Sequence, residues 1–166
     1  KMIVYNCIFS DDELISDSFG MKLVDEVAFE VTGKSVVVGE DNVDIGANAS
    51  AEEAVEDLDD SKVTVIDVVH AFKLIETGFS KKEYMTYVKK YMKNVKAYLA
   101  EKHPEQVDIF MANVQGYIKK IIGNFDEYQF FMGESCDPEA SIVLCHYEGM
   151  DPVFTYFKHG LKEIKC

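Results

Sequence analysis

The stretch FSKKEYMTYVKKYMKNVKAYLAEKHPEQVDIFMANVQGYIKKIIG, residues 79–123, decides the fold class, because it reads as two antiparallel helices in a chain that otherwise reads as strands. Ser80 followed three residues later by Glu83 is a capping box, in which each side chain satisfies a backbone N–H of the first turn, and Phe79 and Tyr84 occupy hydrophobic-staple positions. At helical spacing Tyr84, Val88, Tyr91, Met92, Val95, Tyr98 and Leu99 fall within an arc of about 120°, and Lys82, Lys89, Lys90, Lys93 and Lys96 fill a similar arc on the other side. One face is apolar and the other cationic. His103-Pro104 ends this helix, since proline disfavours the α region for the residue before it, and Pro104 suits the first position of a second helix. Val107, Phe110, Met111, Val114, Ile118, Ile121 and Ile122 make the second buried stripe, and Gly123-Asn124 is the expected stop. At the rise of an α-helix the two run roughly 34 and 28 Å, long enough to project beyond a small domain.

The remaining sequence supplies β-structure. Residues 2–9 are rich in β-branched and aromatic side chains until Ser10-Asp11-Asp12-Glu13 breaks the run, which predicts a strand entering an acidic turn. Leu23–Thr32 and Ser35–Val38 read as strands on either side of a hairpin turn at Gly33-Lys34, with Val36-Val37-Val38 buried on both faces. Residues 39–61 hold nine Asp or Glu and no Lys, and are expected to be a long mobile loop. Val63–Ile75 returns to strand composition, and Tyr128–Met132, Ser141–Tyr147 and Val153–Lys158 follow the helices. About seven strands on both sides of a helical insertion predict a single α+β domain over residues 1–166, with an antiparallel or mixed sheet closed by both ends of the chain and one helix of the 80–124 hairpin packed on it.

Composition narrows the function. The 166 residues are 48% hydrophobic, sufficient for a real core. No apolar run approaches the ~20 residues of a membrane span, and no signal-peptide core follows Met2, so a cytoplasmic location is expected. The formal charge of -13 is uneven, because residues 80–124 carry nine Lys against four Asp or Glu. The chain is an electrostatic dipole. Every basic residue is lysine, and without arginine there is no bidentate fork for guanine or phosphate, which disfavours nucleic acid.

No phosphate loop, nucleophile elbow, zinc-protease helix or EF-hand spacing is present, and an enzyme is not expected. Cys7, Cys136, Cys145 and Cys166 lack paired metal-site spacing, and Cys145 and His146 point to opposite faces of a strand, so reduced thiols are expected. His70 and His146 read as core or sheet-surface histidines, and Cys145 as inert. Cys166, at the end of the chain, could oxidise to link two otherwise monomeric copies. Asp41, Asp44, Asp57, Asp59 and Asp60 could supply some of the six to eight oxygens calcium needs, but with no preformed cage the binding should be weak. No tightly bound cofactor is implied. The lysine face reads either as a solvated surface or as a dock for an acidic partner.

Two stretches carry the reading further. Ile45-Gly46-Ala47-Asn48-Ala49-Ser50-Ala51-Glu52 and Phe125-Asp126-Glu127-Tyr128-Gln129-Phe130-Phe131-Met132-Gly133-Glu134 resemble the two signature segments of the translationally controlled tumour protein family. Met2-Ile3-Val4-Tyr5, Ser10-Asp11-Asp12-Glu13, Tyr91-Met92-Lys93 and the terminal Cys166 are similar to the same family, so the resemblance runs along the whole chain. It implies a β-rich core of tent-like sheets, akin to a class of guanine-nucleotide-exchange chaperones, with a protruding helical hairpin and a disordered acidic loop. It also implies binding roles: calcium, tubulin and microtubules, translation elongation factor and its exchange factor, and nucleotide exchange on a small Ras-family GTPase. By the same resemblance the hairpin, with Lys82, Lys89, Lys90, Lys93 and Lys96, carries the tubulin association. Glu13, with Asp12 beside it, and more weakly Glu134, are the expected GTPase contacts. Glu13 should sit exposed in a loop or short helical turn.

Overall fold

A computed structural model describes residues 2–39 and 62–165. Three sheets organise the chain, and every strand pairing is antiparallel. The largest has six strands in the order β3 (Lys22–Val24), β4 (Ala28–Thr32), β10 (Asp151–Phe157), β9 (Val143–Glu148), β8 (Gln129–Met132), β7 (Ile75–Thr77). A three-stranded sheet places β1 (Ile3–Cys7) between β2 (Glu13–Ser16) and β11 (Leu161–Lys165), so Ile3 lies opposite Lys165 and the two ends of the chain close one sheet. β5 (Ser35–Gly39) and β6 (Lys62–Ile66) form a separate ribbon.

Alternation along β10 shows why the six-stranded sheet has something on each face. Phe157 belongs to one apolar cluster, with Ala28, Phe130 and Leu144. Phe154 and Tyr156, offset from it by odd numbers of residues, belong to the other, with Val31, Phe131, Val143 and Cys145. The first cluster takes the helical hairpin, formed by α2 (Lys81–Lys102) and α3 (Val107–Gly123). The second takes the three-stranded sheet, through Cys7, Leu14 and Ile15, and a short helix, α1 (Asp67–Phe72), through Val68.

The hairpin follows its local sequence code. The Ser80 hydroxyl accepts from the Glu83 amide at 3.1 Å while the Ser80 amide donates to Glu83 Oε1 at 2.8 Å. Phe79 meets Tyr84 edge-on at 5.9 Å. Tyr84, Val88, Tyr91, Val95 and Leu99 are buried along α2, and Phe110, Val114, Tyr117, Ile118 and Ile121 along α3. Both helices therefore lie on the sheet, where one was expected. Tyr117 was not foreseen in the stripe, and its hydroxyl reaches Glu30 Oε2 on β4 at 3.1 Å. Pro104 opens a 3₁₀ turn, Pro104–Gln106, before α3 begins. Gln106 Oε1 in that turn accepts from His159 Nε2 at 3.0 Å, which ties the hairpin's tip to the segment before β11.

Several strand expectations are corrected. Leu23–Thr32 is a hairpin of β3 and β4, because Asp25 and Glu26 adopt left-handed backbone with φ of 52° and 64° and reverse the chain between Val24 and Ala28. Gly33-Lys34 is no hairpin turn, since β4 pairs with β10 and β3 while β5 pairs with β6. Gly33 crosses between sheets at a point where a Cβ would lie 3.0 Å from both Asp67 Oδ1 and the Phe154 ring. Val37 is exposed, so the valine run is not buried on both faces. Val63–Ile75 divides into β6, α1 and β7. Asp67 Oδ1 accepts from Val68 N at 2.7 Å and Lys34 N at 3.0 Å, and Lys73 closes the helix in a left-handed conformation with φ of 53°. Tertiary anchoring overrides the β-propensity of Val68 and Val69 here. The described residues hold eleven strands where about seven were expected. Gly39, expected to open the mobile loop, still pairs with Lys62, and the rest of that segment, residues 40–61, lies outside the described residues.

Candidate functional site

The acidic turn is built outward from the core. Cys7, fully buried at the end of β1, donates its amide to the Asp12 carbonyl at 2.8 Å and accepts the Asp11 amide at 2.9 Å. Asp11 takes up a left-handed φ of 67°, which lets its carboxylate face Lys162 on β11 at 2.8 Å and holds that carboxyl below its usual range. Asp12 turns the other way. Its Oδ2 accepts from Ser10 Oγ at 3.1 Å, from the Ser135 amide at 3.2 Å and from Ser135 Oγ at 2.7 Å. Gly133 allows this approach, since a Cβ there would run into the Asp12 carboxylate.

This contact spans 123 residues of sequence and joins the two turns that carry the expected GTPase-contact residues Asp12, Glu13 and Glu134. Glu13 is the residue after Asp12, exposed at the first position of β2, where it pairs across the ladder with Asn6 and not in the loop or helical turn expected. Glu134 is the residue before Ser135, exposed, with Lys73 Nζ at 3.7 Å. That pair is open to solvent on both sides and contributes little to stability. Ser135 and Gly133 carry the arrangement, and residue types in either turn taken alone do not reveal that they meet.

The cationic face has a different geometry. Lys82, Lys89, Lys93 and Lys96 are exposed on the outer side of α2, and none of them has an ion pair among the described residues. Lys90 stands apart. It lies about 80° around the helix from Lys82, and its Nζ bonds Glu139 Oε2 at 2.8 Å. Asp41, Asp44, Asp57, Asp59, Asp60 and Cys166 lie outside the described residues.

Between these surfaces runs a buried polar hub that the sequence reading missed. Tyr87 donates to the Ala140 carbonyl at 2.7 Å and accepts the Ile142 amide at 3.1 Å. Tyr91 Oη meets Ser141 Oγ at 2.7 Å, and Ser141 Oγ donates to the Gly160 carbonyl at 3.3 Å. The Cys7 sulfur accepts amides from Phe9 at 3.3 Å and Ser141 at 3.4 Å. Burial raises the tyrosine hydroxyls well above their ordinary values, so they act as neutral hydrogen-bonding groups. The hub joins α2 to both sheets.

The remaining titratable groups serve the fold. Cys145 is buried in the second cluster and its thiol is pushed up to about 12 by desolvation, the inert behaviour expected of it. His146 points the other way, to Glu148 Oε2 at 3.1 Å and the Tyr128 ring edge. His70, expected in the core or on a sheet surface, is instead exposed on helix α1. His159 is held down to about 4, first by burial and then by Lys158. Among the described residues no three His, Cys, Asp or Glu side chains converge as a metal site. No helix among them is long and apolar enough to cross a membrane.

The family model described as translationally controlled tumour protein matches residues 2–162. The chain belongs to that family. It is 48% identical to the translationally controlled tumour protein homologues of Yarrowia lipolytica and Saccharomyces cerevisiae, in each case over 99% of both chains. Among solved structures it resembles the family protein of Schizosaccharomyces pombe, with a TM-score of 0.82 at 44% identity over 99% of both chains. It also resembles that of Caenorhabditis elegans, with a TM-score of 0.66 at 33% identity over 99% of this chain and 98% of the other. The expected family membership and α+β class both hold. In this member of the family, the segment ending in Gly133-Glu134 meets the Ser10–Glu13 turn through Asp12 and Ser135.

Proposed function

We propose that this chain is a cytoplasmic, non-catalytic binding protein whose α2 lysine face docks the acidic surface of tubulin and microtubules. The observation supporting this is that Lys82, Lys89, Lys93 and Lys96 project from one side of a helix whose other side is locked into the core, without carboxylate partners among the described residues. A rigid row of ammonium groups is the complement an acidic surface needs, and it acts locally, because screening over ~8 Å at physiological salt hides the net negative charge elsewhere. Microtubule co-sedimentation tests it. Changing Lys82, Lys89, Lys93 and Lys96 together to Glu should abolish sedimentation at low salt, and unchanged sedimentation would sink the reading. Lys90→Gln should have a smaller effect, since Lys90 already faces Glu139.

A second reading, regulation of a small GTPase linked to translation elongation, is favoured by the junction of the Glu13 and Glu134 turns through Asp12. Exposed carboxylates there can compete for a lysine or for the magnesium of a nucleotide site. Glu13→Gln should slow nucleotide release from, or weaken binding to, a Ras-family GTPase. Weak calcium association through Asp41, Asp44, Asp57, Asp59 and Asp60 rests on their sequence density alone, and a calorimetric titration giving sub-micromolar affinity would contradict it.

A further inference from the structure

The contact between Asp12 and Ser135, on which the GTPase reading leans, has a consequence for the roles of the residues around it. A carboxylate oxygen offers two lone pairs, and Asp12 Oδ2 already takes the Ser10 hydroxyl, the Ser135 amide and the Ser135 hydroxyl, at 3.1, 3.2 and 2.7 Å. That oxygen is therefore committed to holding the two turns together. The turn behind Asp12 is itself immobilised: its backbone is bonded to buried Cys7, and Asp11 is bonded to Lys162 of β11. The opposite turn has less of its own support, a Cys136 amide to Gly133 carbonyl bond at 2.9 Å around a Cys136 with φ of 57°, and the exposed Lys73–Glu134 pair.

We propose that Asp12 is a positioning residue: it clasps the 133–136 turn to the 10–13 turn, so that the turns carrying Glu13 and Glu134 are held in one fixed relation. The assignment deepens the GTPase reading and rests on it for its functional consequence. Preorganisation is the physical gain, because two carboxylates on independently moving turns would have to be ordered at the moment of binding. Gly133 belongs to the same device, as the only residue type that leaves room for the Asp12 carboxylate. The Ser135 hydroxyl is its latch, supplying the shortest of the three bonds.

The test uses the full chain in five forms: wild type, Ser135→Ala, Ser135→Thr, Gly133→Ala and Glu13→Gln. Two quantities are measured on each, amide hydrogen exchange at residues 135 and 136, and affinity for a nucleotide-free Ras-family GTPase. Ser135→Ala and Gly133→Ala leave every charged group in place, yet exchange at both amides should rise by about tenfold, the scale of losing a hydrogen bond to a charged acceptor. GTPase affinity should fall by a similar factor, and Ser135→Thr, which keeps the hydroxyl, should restore both. If exchange rises in Ser135→Ala but GTPase affinity stays at the wild-type value while Glu13→Gln weakens it, the positioning role is wrong and the GTPase reading survives. Should Glu13→Gln itself leave affinity unchanged, the GTPase reading fails, and the clasp is then judged on exchange alone: a tenfold rise in Ser135→Ala upholds it, and unchanged exchange overturns it.

Discussion

Gly160→Ala puts the buried hub under the most direct strain. A Cβ on Gly160 would run into the Tyr91 hydroxyl and lie 2.9 Å from Ser141 Oγ. Neither neighbour can retreat, because Tyr91 is 2% exposed in the first apolar cluster and its hydroxyl is bonded to Ser141 at 2.7 Å. The Gly160 carbonyl also receives Ser141 Oγ at 3.3 Å and the Ile8 amide at 3.0 Å, so the backbone is held from the β1 side as well. Overpacking a methyl into such a site costs about 1–3 kcal/mol. Breaking the Tyr91–Ser141 bond and leaving a buried hydroxyl unpaired adds about 1–3 kcal/mol. The sum, roughly 2–6 kcal/mol, is a large part of a typical domain's 5–15 kcal/mol and corresponds to a melting point lowered by roughly 4–24 °C for a chain of this size. Urea unfolding and a thermal melt of the single variant measure it. The decisive comparison is with Tyr91→Phe, which removes the obstructing oxygen: in the Gly160→Ala background it should recover about 1–2 kcal/mol, a coupling expected only of residues in contact. A Gly160→Ala protein within ~0.5 kcal/mol of wild type, as for an ordinary surface change, would refute the reasoning. So would a Tyr91→Phe change whose cost is the same in both backgrounds.

Acid should loosen the hairpin's tip through His159. Its folded value of about 4 lies below the ordinary 6.5 of the unfolded chain, so the unfolded state binds the extra proton. The stability from a neutral His159 is complete above about pH 6.5 and is lost as pH falls toward 4, by roughly 1–3 kcal/mol. Urea midpoints at pH 7.5 and 5 should differ less in His159→Gln than in wild type, and equal differences would count against it. Asp67→Ala should cost about 1–3 kcal/mol, the scale of lost hydrogen bonds to a charged acceptor, because it frees the Val68 and Lys34 amides together; urea unfolding measures it, and a neutral result would mean these bonds do not hold the start of α1. Under native conditions at neutral pH, iodoacetamide should label exposed Cys136 quickly and leave Cys7 and Cys145 unmodified until the protein unfolds, which peptide mass mapping reads directly.

The helical hairpin was determined by the sequence itself, because each of its signals acts within three or four residues. The Ser80–Glu83 box, the Phe79–Tyr84 staple and the spacing from Tyr84 to Leu99 need no information from elsewhere in the chain. The family was equally legible, from the segments around Ile45 and Phe125. The sheets were read less well. β-propensity reports only that a residue suits a pleated, half-buried surface, so it merged β3 with β4 and carried β6 through α1 into β7. The turn at Asp25-Glu26 lacks the glycine or asparagine that advertises left-handed backbone, and α1 opens on Asp67, whose side chain is fixed by Lys34, 33 residues earlier.

Only the tertiary structure decided what meets what. Ile3 lies beside Lys165, Cys7 beside Ser141, and Asp12 beside Ser135, and each pairing follows from the register of strands far apart in the chain. A serine, an aspartate and a glycine are ordinary turn residues wherever they occur. They become one device because β1 and β2 on one side, and β8 on the other, deliver their turns to the same place, where the bare Cα of Gly133 lets a carboxylate close enough to accept two bonds from Ser135.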